Sequence, residues 1–474
     1  MDNNLFTYSE LGQITGGRWL GPAFSNPGII FISTDSRKDC RNSIFFAIKG
    51  ETLDGHEYLE AAAANNASAI CISKSRQGMK LPEKIPTLIV EDTLKAYQAL
   101  ARFHRKRLGL KVIALTGSSG KTSTKEILKA ILVHAYGAEK IYATEGNTNN
   151  HVGVPQNLLN LRKNHEYAII EMGTNHPGEI EVLSQLAEPD HGAIVSIGNA
   201  HIEFFGDTDG VAREKSAVFA EMSSSGMAII PAEGPGVKAL DKASSKYRTL
   251  RFGSEKAESA DLTIKYLGGN MTGSGFELFW KNCELRKTVN WQLTGKHQAM
   301  NAGCAILAAN ALGVSPETAS EALNKGVQLP GMRMRVQNRD GITWINDAYN
   351  ANPESMRAGI EWFHEATSKE AVKGSRIFVV LGDMLEMGEA GPMAHEEILK
   401  FVTNHMPHAV LIVVGPIMGK ASKVITSTDI SMRDFPDSEE AAKYVKSKIK
   451  RGDIIFLKGS RGMKLEKIEN IFQP

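Results

Sequence analysis

One turn in the chain combines glycines, a lysine and a hydroxyl side chain at a spacing suited to binding phosphate. An apolar segment at 112–116 leads into Gly117 and Gly120, and Lys121 and Thr122 follow at the start of a helical pattern. Backbone N–H groups of such a turn and the positive end of a helix dipole attract an anion. The lysine can reach the outer phosphates, and the hydroxyl can bind Mg²⁺. The segment therefore predicts ATP chemistry.

The turn is shorter than the usual P-loop. Leu115 stands where that pattern has its first glycine, and the glycine before Gly120 is Gly117. The alternative is a tight strand-to-helix turn that carries a surface lysine. The order of strand, glycines, lysine and threonine favours phosphate binding. The predicted ATP-binding residues of the turn are Gly117, Ser118, Ser119, Gly120, Lys121, Thr122 and Ser123.

Length and charge limit the classes of function. A chain of 474 residues is too long to fold around a single hydrophobic core. It suggests about three domains, at roughly 150 residues each. With 55 Lys and Arg against 53 Asp and Glu, no global basic surface is present, so we expect no nucleic-acid partner. Four scattered cysteines have no metal-binding spacing and are expected to be reduced thiols.

The amino-terminal residues carry neither the basic start nor the apolar run of a signal peptide. No stretch of the sequence approaches about 18 uninterrupted apolar residues. We therefore expect a cytoplasmic protein without membrane insertion.

The elements around the turn predict an α/β fold of three domains. Short apolar runs and an alanine-rich helix at 58–66 predict a small N-terminal α/β domain over 1–90. Alternating strands and helices over 91–329 predict a central P-loop ATPase-like doubly wound sheet. Alternating polar and apolar residues at about 249–294 predict an antiparallel flap attached to it. Renewed strand–helix alternation over 330–474 predicts a C-terminal Rossmann-like domain.

Three further residues lie where chemistry is possible. Glu171 ends an apolar strand, where ligands bind open α/β sheets, and is either a metal ligand or a capping or ion-pairing residue. His201 follows another strand and is either a ligand or a structural or solvated histidine. Lys215 has the local sequence of a lysine on a helix surface.

The loop at 144–155 is rich in asparagine. Asn147, Asn149 and Asn150 offer amide donors and acceptors suited to sugar hydroxyls and phosphates. An ordinary asparagine-rich turn is the alternative.

Taken together, these segments resemble the Mur ligase family over nearly the whole chain. The runs that carry the resemblance are Thr-Asp-Ser-Arg (34–37), Phe-Phe-Ala-Ile-Lys-Gly (45–50), Asp-Gly-His (54–56), Thr-Gly-Ser-Ser-Gly-Lys-Thr (116–122), Gly-Asn-Thr-Asn-Asn (146–150), Glu-Met-Gly-Thr-Asn-His-Pro-Gly-Glu-Ile (171–180), Asn-Ala-His (199–201), Asn-Asp-Ala-Tyr-Asn-Ala-Asn-Pro (346–353), Leu-Gly-Asp-Met-Leu-Glu-Met-Gly (381–388) and Lys-Gly-Ser-Arg (458–461).

The resemblance implies an ATP-dependent ligase of peptidoglycan precursor synthesis. The runs at 171–180 and 346–353 are most similar to members that add D-alanyl-D-alanine to UDP-N-acetylmuramoyl-tripeptide. Such members phosphorylate the substrate carboxylate with ATP, and the dipeptide amine then attacks the acyl phosphate. The resemblance implies ATP and two Mg²⁺ ions as cofactors, a monomer, and open and closed domain arrangements.

The resemblance also implies roles for single residues around the ATP. Lys121, His201 and Lys215 would be catalytic. Thr122 and Glu171 would hold the Mg²⁺ on the ATP phosphates. His201 would serve the second metal together with Lys215, which falls on the position of the family's carbamylated lysine.

Further residues are implied to bind nucleotide and substrates. Asn301, which follows His297 in one segment, would lie near the adenine. Arg333 and Arg335 compete for one role at the ATP, since relatives have Pro-Gly-Arg where this chain has Pro-Gly-Met-Arg-Met-Arg; we favour Arg333. Asp347 would act with that arginine. The substrate-binding residues would be Ser36, Arg37, Asn147, Asn149, Asn150, Asn350 and Asn352.

Other readings of the sequence remain open. Another amino-acid ligase of the superfamily, such as a folylpolyglutamate synthetase, would share the central residues. A P-loop switch would use nucleotide only to change shape, and a phosphotransferase would stop after phosphorylation.

Overall fold

The computed structural model describes residues 4–24, 28–199, 202–370, 374–425 and 430–471. Within these ranges the strands form three sheets, one after another along the chain. In the same ranges, no helix is both long and apolar enough to cross a membrane.

The first sheet has the strand order β1-β5-β4-β3-β2, and all pairs are parallel except β1 with β5. The inner strands are buried almost continuously, as strands covered on both faces are. The helix expected at 58–66 spans only Leu59–Ala64, because a 3₁₀ turn occupies Gly55–Tyr58. The elements are α1 (Tyr8–Thr15), β1 (Arg18–Leu20), β2 (Phe31–Ser33), β3 (Ser43–Phe46), α2 (Leu59–Ala64), β4 (Ala69–Ser73) and β5 (Thr87–Val90).

Helix α3 (Thr93–Leu108) connects the first sheet to the second. It begins after Asp92, whose carboxylate accepts hydrogen bonds of 2.8 and 3.0 Å from the backbone N–H groups of Leu94 and Lys95. It ends at Gly109, whose φ is 64°. Its buried face belongs to one apolar cluster that extends from Phe46 in the first sheet to Ile170 in the second. The first domain is therefore fixed against the central one by a shared core.

The central sheet has the order β14-β13-β12-β11-β10-β9-β6-β8-β7. Strands up to β12 pair in parallel, and β12, β13 and β14 are antiparallel. The predicted antiparallel flap is thus present as β12, β13 and β14. It continues the central sheet through the pairing of β11 with β12. The strands are β6 (Lys111–Thr116), β7 (Ile141–Ala143), β8 (Tyr167–Glu171), β9 (His191–Ile194), β10 (Met227–Pro231), β11 (Arg248–Ser254), β12 (Leu262–Gly269), β13 (Ser274–Trp280) and β14 (Leu285–Trp291).

The strand order reverses at β6, which lies between β8 and β9. Loops that leave the carboxyl ends of these strands diverge there and form the crevice in which open α/β sheets bind ligands. The helices of this region are α4 (Lys121–Tyr136), α5 (Gly153–Leu159), α6 (Glu179–Ala187), α7 (Ile202–Phe205), α8 (Thr208–Ser216), α9 (Val237–Ser244), α10 (Lys296–Ala311) and α11 (Pro316–Lys325).

The third sheet has the order β15-β16-β20-β17-β18-β19, with only the edge strand β15 antiparallel. It has apolar clusters of its own on its two faces, one of which also takes in Met271 from the β12–β13 turn. The elements are β15 (Arg335–Arg339), β16 (Ile342–Asp347), α12 (Pro353–Glu370), β17 (Ile377–Gly382), α13 (Gly391–His405), β18 (Val410–Val414), α14 (Pro416–Ser422), β19 (Ser431–Phe435), α15 (Ser438–Lys448), β20 (Ile454–Lys458) and α16 (Glu466–Asn470).

Candidate active site

The glycine-rich turn joins β6 to α4, with Gly120 as the residue before the helix. Gly120 has φ of 80°, and a Cβ there would collide with the Asn301 side-chain oxygen. Only glycine fits both the left-handed backbone and this close approach. The turn is therefore packed closely against Asn301 of α10.

The loop after β9 supports the glycine-rich turn. The N–H groups of Ser118 and Ser119 donate to the carbonyl and the hydroxyl of Ser196, at 2.9 and 3.0 Å. The Ser118 hydroxyl in turn accepts the Gly198 N–H at 2.9 Å. The first N–H groups of α4 have no preceding helical turn to bind. They are the donors that the turn presents to an anion.

Lys121 closes this turn. Its ammonium donates to the Gly117 carbonyl at 2.7 Å. Burial lowers the pKa of Lys121, the carboxylate of Glu171 opposes that shift, and the nearby Arg333 adds to it. Lys121 and Arg333 thus place positive charge beside the turn. A bound anionic ligand would neutralise this charge.

Glu171 ends β8 beside the turn, with a side chain that is 1% exposed. Its Oε1 accepts from the Thr122 hydroxyl at 3.3 Å and from the Asn149 amide at 2.9 Å. Its Oε2 is buried, and no residue in the described part of the chain hydrogen bonds to it. A buried carboxylate oxygen without a donor next to a hydroxyl is a suitable ligand pair for Mg²⁺.

The oxygen atoms of Thr122 and Glu171 are donors of the kind that Mg²⁺ prefers. Across the described ranges, no group of three or more His, Cys, Asp or Glu side chains could hold a metal ion. Mg²⁺ commonly binds through one or two protein oxygens plus phosphate and water. His201, the predicted ligand of a second metal, lies outside the described residues.

Lys215 on α8 is buried, with 2% of its surface exposed. The expectation of a surface lysine was wrong, because Val211 and Lys215 lie one turn apart on the face of α8 that packs inward. Burial, together with the neighbouring Lys121, lowers the pKa of Lys215 to about 7, although Glu214 opposes the shift. Much of this amine is therefore uncharged near neutral pH.

Arg333 reaches the turn from the segment between α11 and β15. Its Nη2 donates to the Thr122 hydroxyl at 3.1 Å, and its guanidinium carbon lies 3.6 Å from the centre of the Tyr349 ring. Arg335 instead forms a salt bridge of 2.9 Å with Glu469. Of the two candidate arginines, Arg333 is the one beside the phosphate loop.

Two residues at the start of α12 also contact the central domain. The Asn352 amide donates to the Ser119 hydroxyl at 3.0 Å. The Glu354 carboxylate accepts the Asn199 N–H at 2.8 Å. The third domain therefore lies against the phosphate loop in this structure.

Asp347 lies at the carboxyl end of β16, in register with Lys458 of β20. The two side chains form a salt bridge of 2.5 Å, and the second Asp347 oxygen accepts the Met334 N–H at 3.2 Å. His297 lies near this pair. Burial lowers the pKa of His297 to about 4, Asp347 partly opposes that shift and Lys458 adds to it, so the imidazole is neutral near pH 7.

The other predicted substrate residues occupy separate places. Asn147 accepts from the Asn149 amide at 3.4 Å. Asn150 accepts the N–H groups of Val152 and Gly153 at the start of α5. Asn350 is exposed on the third domain.

Ser36 and Arg37 lie on the first domain. The Ser36 carbonyl accepts from Asn65 at 2.7 Å. Arg37 pairs with Asp35 at 2.8 and 2.9 Å and lowers the pKa of that carboxyl to about 2. The contacts of Ser36 and Arg37 within the described residues remain in the first domain.

Sequence reasoning missed several residues of this site. Ser196, Tyr349 and Glu354 were given no role, although Tyr349 belongs to, and Glu354 follows, the run at 346–353 that carries part of the family resemblance. Their contacts cross from one part of the chain to another, so spacing along the sequence carried no signal for them.

Three family models match consecutive parts of the chain. They are described as "Mur ligase family, catalytic domain" at residues 28–105, "Mur ligase middle domain" at 115–309, and "Mur ligase, glutamate ligase domain" at 332–461. The second match begins inside the strand that leads into the phosphate loop, and the third begins beside Arg333.

Relatives and solved structures match over nearly the full length. A curated relative from Bacillus subtilis, "UDP-N-acetylmuramoyl-tripeptide--D-alanyl-D-alanine ligase", is 32% identical and covers 98% of this chain and 97% of its own. A crystal structure of MurF from Acinetobacter baumannii superposes with a TM-score of 0.86 at 30% identity, covering 98% of both chains. A MurF ligase from Thermotoga maritima, solved in complex with ADP, has a TM-score of 0.78 at 26% identity and covers 93% of this chain and 96% of its own.

Proposed function

The chain belongs to the Mur ligase family, and we propose that it uses ATP to join D-alanyl-D-alanine to UDP-N-acetylmuramoyl-tripeptide in peptidoglycan precursor synthesis. The names of full-length relatives support this choice of substrates. We further propose that the enzyme acts as a monomer in the cytoplasm, where ATP is available.

One observation carries the proposal. The Thr122 hydroxyl lies between the Glu171 carboxylate, at 3.3 Å, and the Arg333 guanidinium, at 3.1 Å. Thr122 of the phosphate loop thus contacts a carboxylate of its own domain that is suited to binding a metal ion. It also contacts a guanidinium of the third domain. Phosphoryl transfer needs positioning and charge stabilisation of this kind.

In the first step, a carboxylate oxygen of the tripeptide attacks the γ-phosphorus of ATP. The bond to the bridging oxygen breaks, ADP leaves, and an acyl phosphate forms. Lys121 and Arg333 would stabilise the negative charge that spreads over the transferred phosphoryl oxygens. Asn301, which packs on Gly120, would bind the nucleotide near its adenine.

In the second step, the unprotonated amine of D-alanyl-D-alanine attacks the acyl carbon. The tetrahedral intermediate collapses to an amide, and its nitrogen proton leaves with hydrogen phosphate. Asn352, which donates to Ser119 of the loop, and Asn350, exposed two residues before it, would hold the dipeptide. Ser36 and Arg37 would bind the UDP-sugar on the first domain.

The residues fit Mg²⁺, which would lower the charge on the phosphates when bound. Thr122 and Glu171 would hold one ion, through the hydroxyl and the donorless Oε2. We propose that His201 and Lys215 serve a second ion.

Lys215 would serve that ion as a carbamate. Its amine, with a pKa of about 7, has the uncharged form that attacks CO₂; a new N–C bond forms and a proton is released. The product is an anionic oxygen ligand where a buried cation stood. The lowered pKa gives a physical reason for a modification that the local sequence did not suggest.

Phosphate release from ATP, measured with product mass, tests the function. Release that requires both UDP-N-acetylmuramoyl-tripeptide and D-alanyl-D-alanine, with formation of the pentapeptide nucleotide, is the expected result. Product with a single amino acid in place of the dipeptide would move the chain to a sister ligase. Nucleotide binding without any new amide bond would favour a P-loop switch instead.

A further inference from the structure

Arg333 lies on a linker segment whose backbone is left-handed on both sides of it. Met332 and Met334 have φ values of 62° and 51°. Such angles are uncommon for side chains other than glycine, asparagine and aspartate, and they persist only where the surroundings hold them. Hydrogen bonds to the main chain on both sides of Arg333 help to hold this segment: the Tyr349 N–H donates to the Met332 carbonyl, and the Met334 N–H donates to Asp347, both at 3.2 Å.

Tyr349 contacts the linker a second time through its ring. The Arg333 guanidinium stacks on the ring at 3.6 Å, while its Nη2 donates to Thr122 at 3.1 Å. A planar guanidinium can stack through its face and still donate N–H bonds from its edge. The ring and the main chain of Tyr349 therefore act together on one short segment.

The stacking leaves the charge of Arg333 available. Within the described residues, its guanidinium has the Thr122 hydroxyl and the Tyr349 ring as partners and no carboxylate at salt-bridge distance. Arg335 shows the contrast, because Glu469 neutralises it at 2.9 Å. A carboxylate would compete with phosphate for the guanidinium, whereas an aromatic face orients the cation without cancelling its charge.

We propose that Tyr349 is a positioning residue that holds the Arg333 guanidinium toward the γ-phosphoryl side of the phosphate loop. Tyr349 does not itself touch the reacting atoms. The inference rests on the proposed function, because the γ-phosphoryl group is the part of ATP on which negative charge develops during the first step.

Replacement of the ring separates this role from a structural one. Tyr349→Leu is expected to lower kcat about 3- to 30-fold, the range that corresponds to losing one cation–π contact. ADP affinity should stay within about twofold, since ADP has no γ-phosphate. Tyr349→Phe keeps the aromatic face and should restore wild-type kcat. Tyr349→Gln serves as a second ringless variant if Tyr349→Leu unfolds.

A double-mutant cycle with Arg333→Met decides whether Tyr349 acts through the arginine. The expected result is that Tyr349→Leu costs nothing further once Arg333 is gone, measured as product mass over long incubations. An equal loss in both backgrounds would overturn the proposal, as would a Phe variant as impaired as the Leu variant. If wild-type enzyme makes no amide product, the proposed function fails instead, so the two failures are distinguishable.

Discussion

The Glu171 carboxylate leads to a prediction about metal dependence. Glu171→Gln keeps an oxygen that can accept from Thr122 and Asn149, but it removes the negative charge and replaces the donorless Oε2. We expect the Mg²⁺ concentration for half-maximal phosphate release to rise at least roughly 10- to 100-fold, the range seen when metal-site partners are removed.

The thermal unfolding midpoint without Mg²⁺ should be lowered only modestly by Glu171→Gln, because the two hydrogen bonds remain while Lys121 loses a nearby negative charge. Glu179→Gln is a suitable control, since the Glu179 carboxylate also accepts hydrogen bonds, here from backbone N–H groups at 2.7 and 3.0 Å, but has no contact with the phosphate turn among the described residues. An unchanged Mg²⁺ requirement in the Glu171 variant would show that the ion binds elsewhere.

We expect the stability of the protein to depend on pH through the titration of Lys215. Its pKa is lowered to about 7 in the folded protein, whereas an unfolded lysine stays protonated to about pH 10. Between these values the unfolded chain binds more protons, so the Lys215 contribution to the free energy of unfolding rises with pH. Below about pH 7 the folded protein must hold a buried ammonium, and the destabilisation is complete.

Lys215→Met should therefore stabilise the protein relative to wild type at pH 6, and the difference should shrink by pH 9. The measurement is the unfolding midpoint across this range, in CO₂-free buffer so that the amine stays unmodified. Lys420→Met removes an exposed lysine of α14 and should show no such trend. Parallel wild-type and Lys215→Met curves would contradict the assigned titration.

At the scale of elements, the junction of β6 and α4 depends on one glycine. Gly120→Ala must place a methyl group on left-handed backbone, where φ is 80°, and against Asn301. Gly178 is a matched control, because it also precedes a helix with φ of 84° but has open space around its Cβ position. We expect Gly178→Ala to cost about 1 kcal/mol of strain.

Gly120→Ala should cost that strain and also displace Asn301, which lies on the predicted nucleotide side of the turn. The expected outcome is a larger loss of unfolding free energy than in Gly178→Ala, together with weakened ADP binding by calorimetry. Equal losses and unchanged ADP affinity would mean that the contact with α10 does not shape the cradle.

The elements also show which features the sequence could predict. The phosphate turn was recognisable because glycines, Lys121 and Thr122 are adjacent and their chemistry is local. The continuity of the antiparallel strands with the central sheet was not, because it depends on the pairing of Phe252 with Leu262. Burial of Lys215 depends likewise on what packs against α8, and its local pattern of Val211 and Ala212 gave only a weak indication.

At the scale of the molecule, the three domains are joined unequally. The first and central domains share a large apolar cluster. The third domain meets the central one through polar contacts of Arg333, Asn352 and Glu354 with Thr122, Ser119 and Asn199, and the central domain adds Met271 to one of its apolar clusters. Apolar burial is expensive to undo, and single hydrogen bonds are worth only about 1 kcal/mol each. Motion of the third domain relative to a fixed pair is the expected mode of opening.

Glu354 offers a direct test of that motion. Its Oε1 accepts the Asn199 N–H at 2.8 Å, while its Oε2 is buried and takes no hydrogen bond from the described residues. Glu354→Ala removes a polar attachment between the two domains without altering either apolar core. The variant should therefore favour the open arrangement, with a larger radius of gyration by small-angle scattering than wild type.

Arg357→Ala on the same helix is the control, because Arg357 pairs with Glu397 inside the third domain. Nucleotide and UDP-substrate together should compact both proteins, since bound phosphates give Arg333 a stronger partner than a hydroxyl. The Glu354 variant should then need more nucleotide to reach the compact form. Scattering that stays the same on adding both ligands, in wild type and variant alike, would mean that the third domain does not move during the reaction cycle.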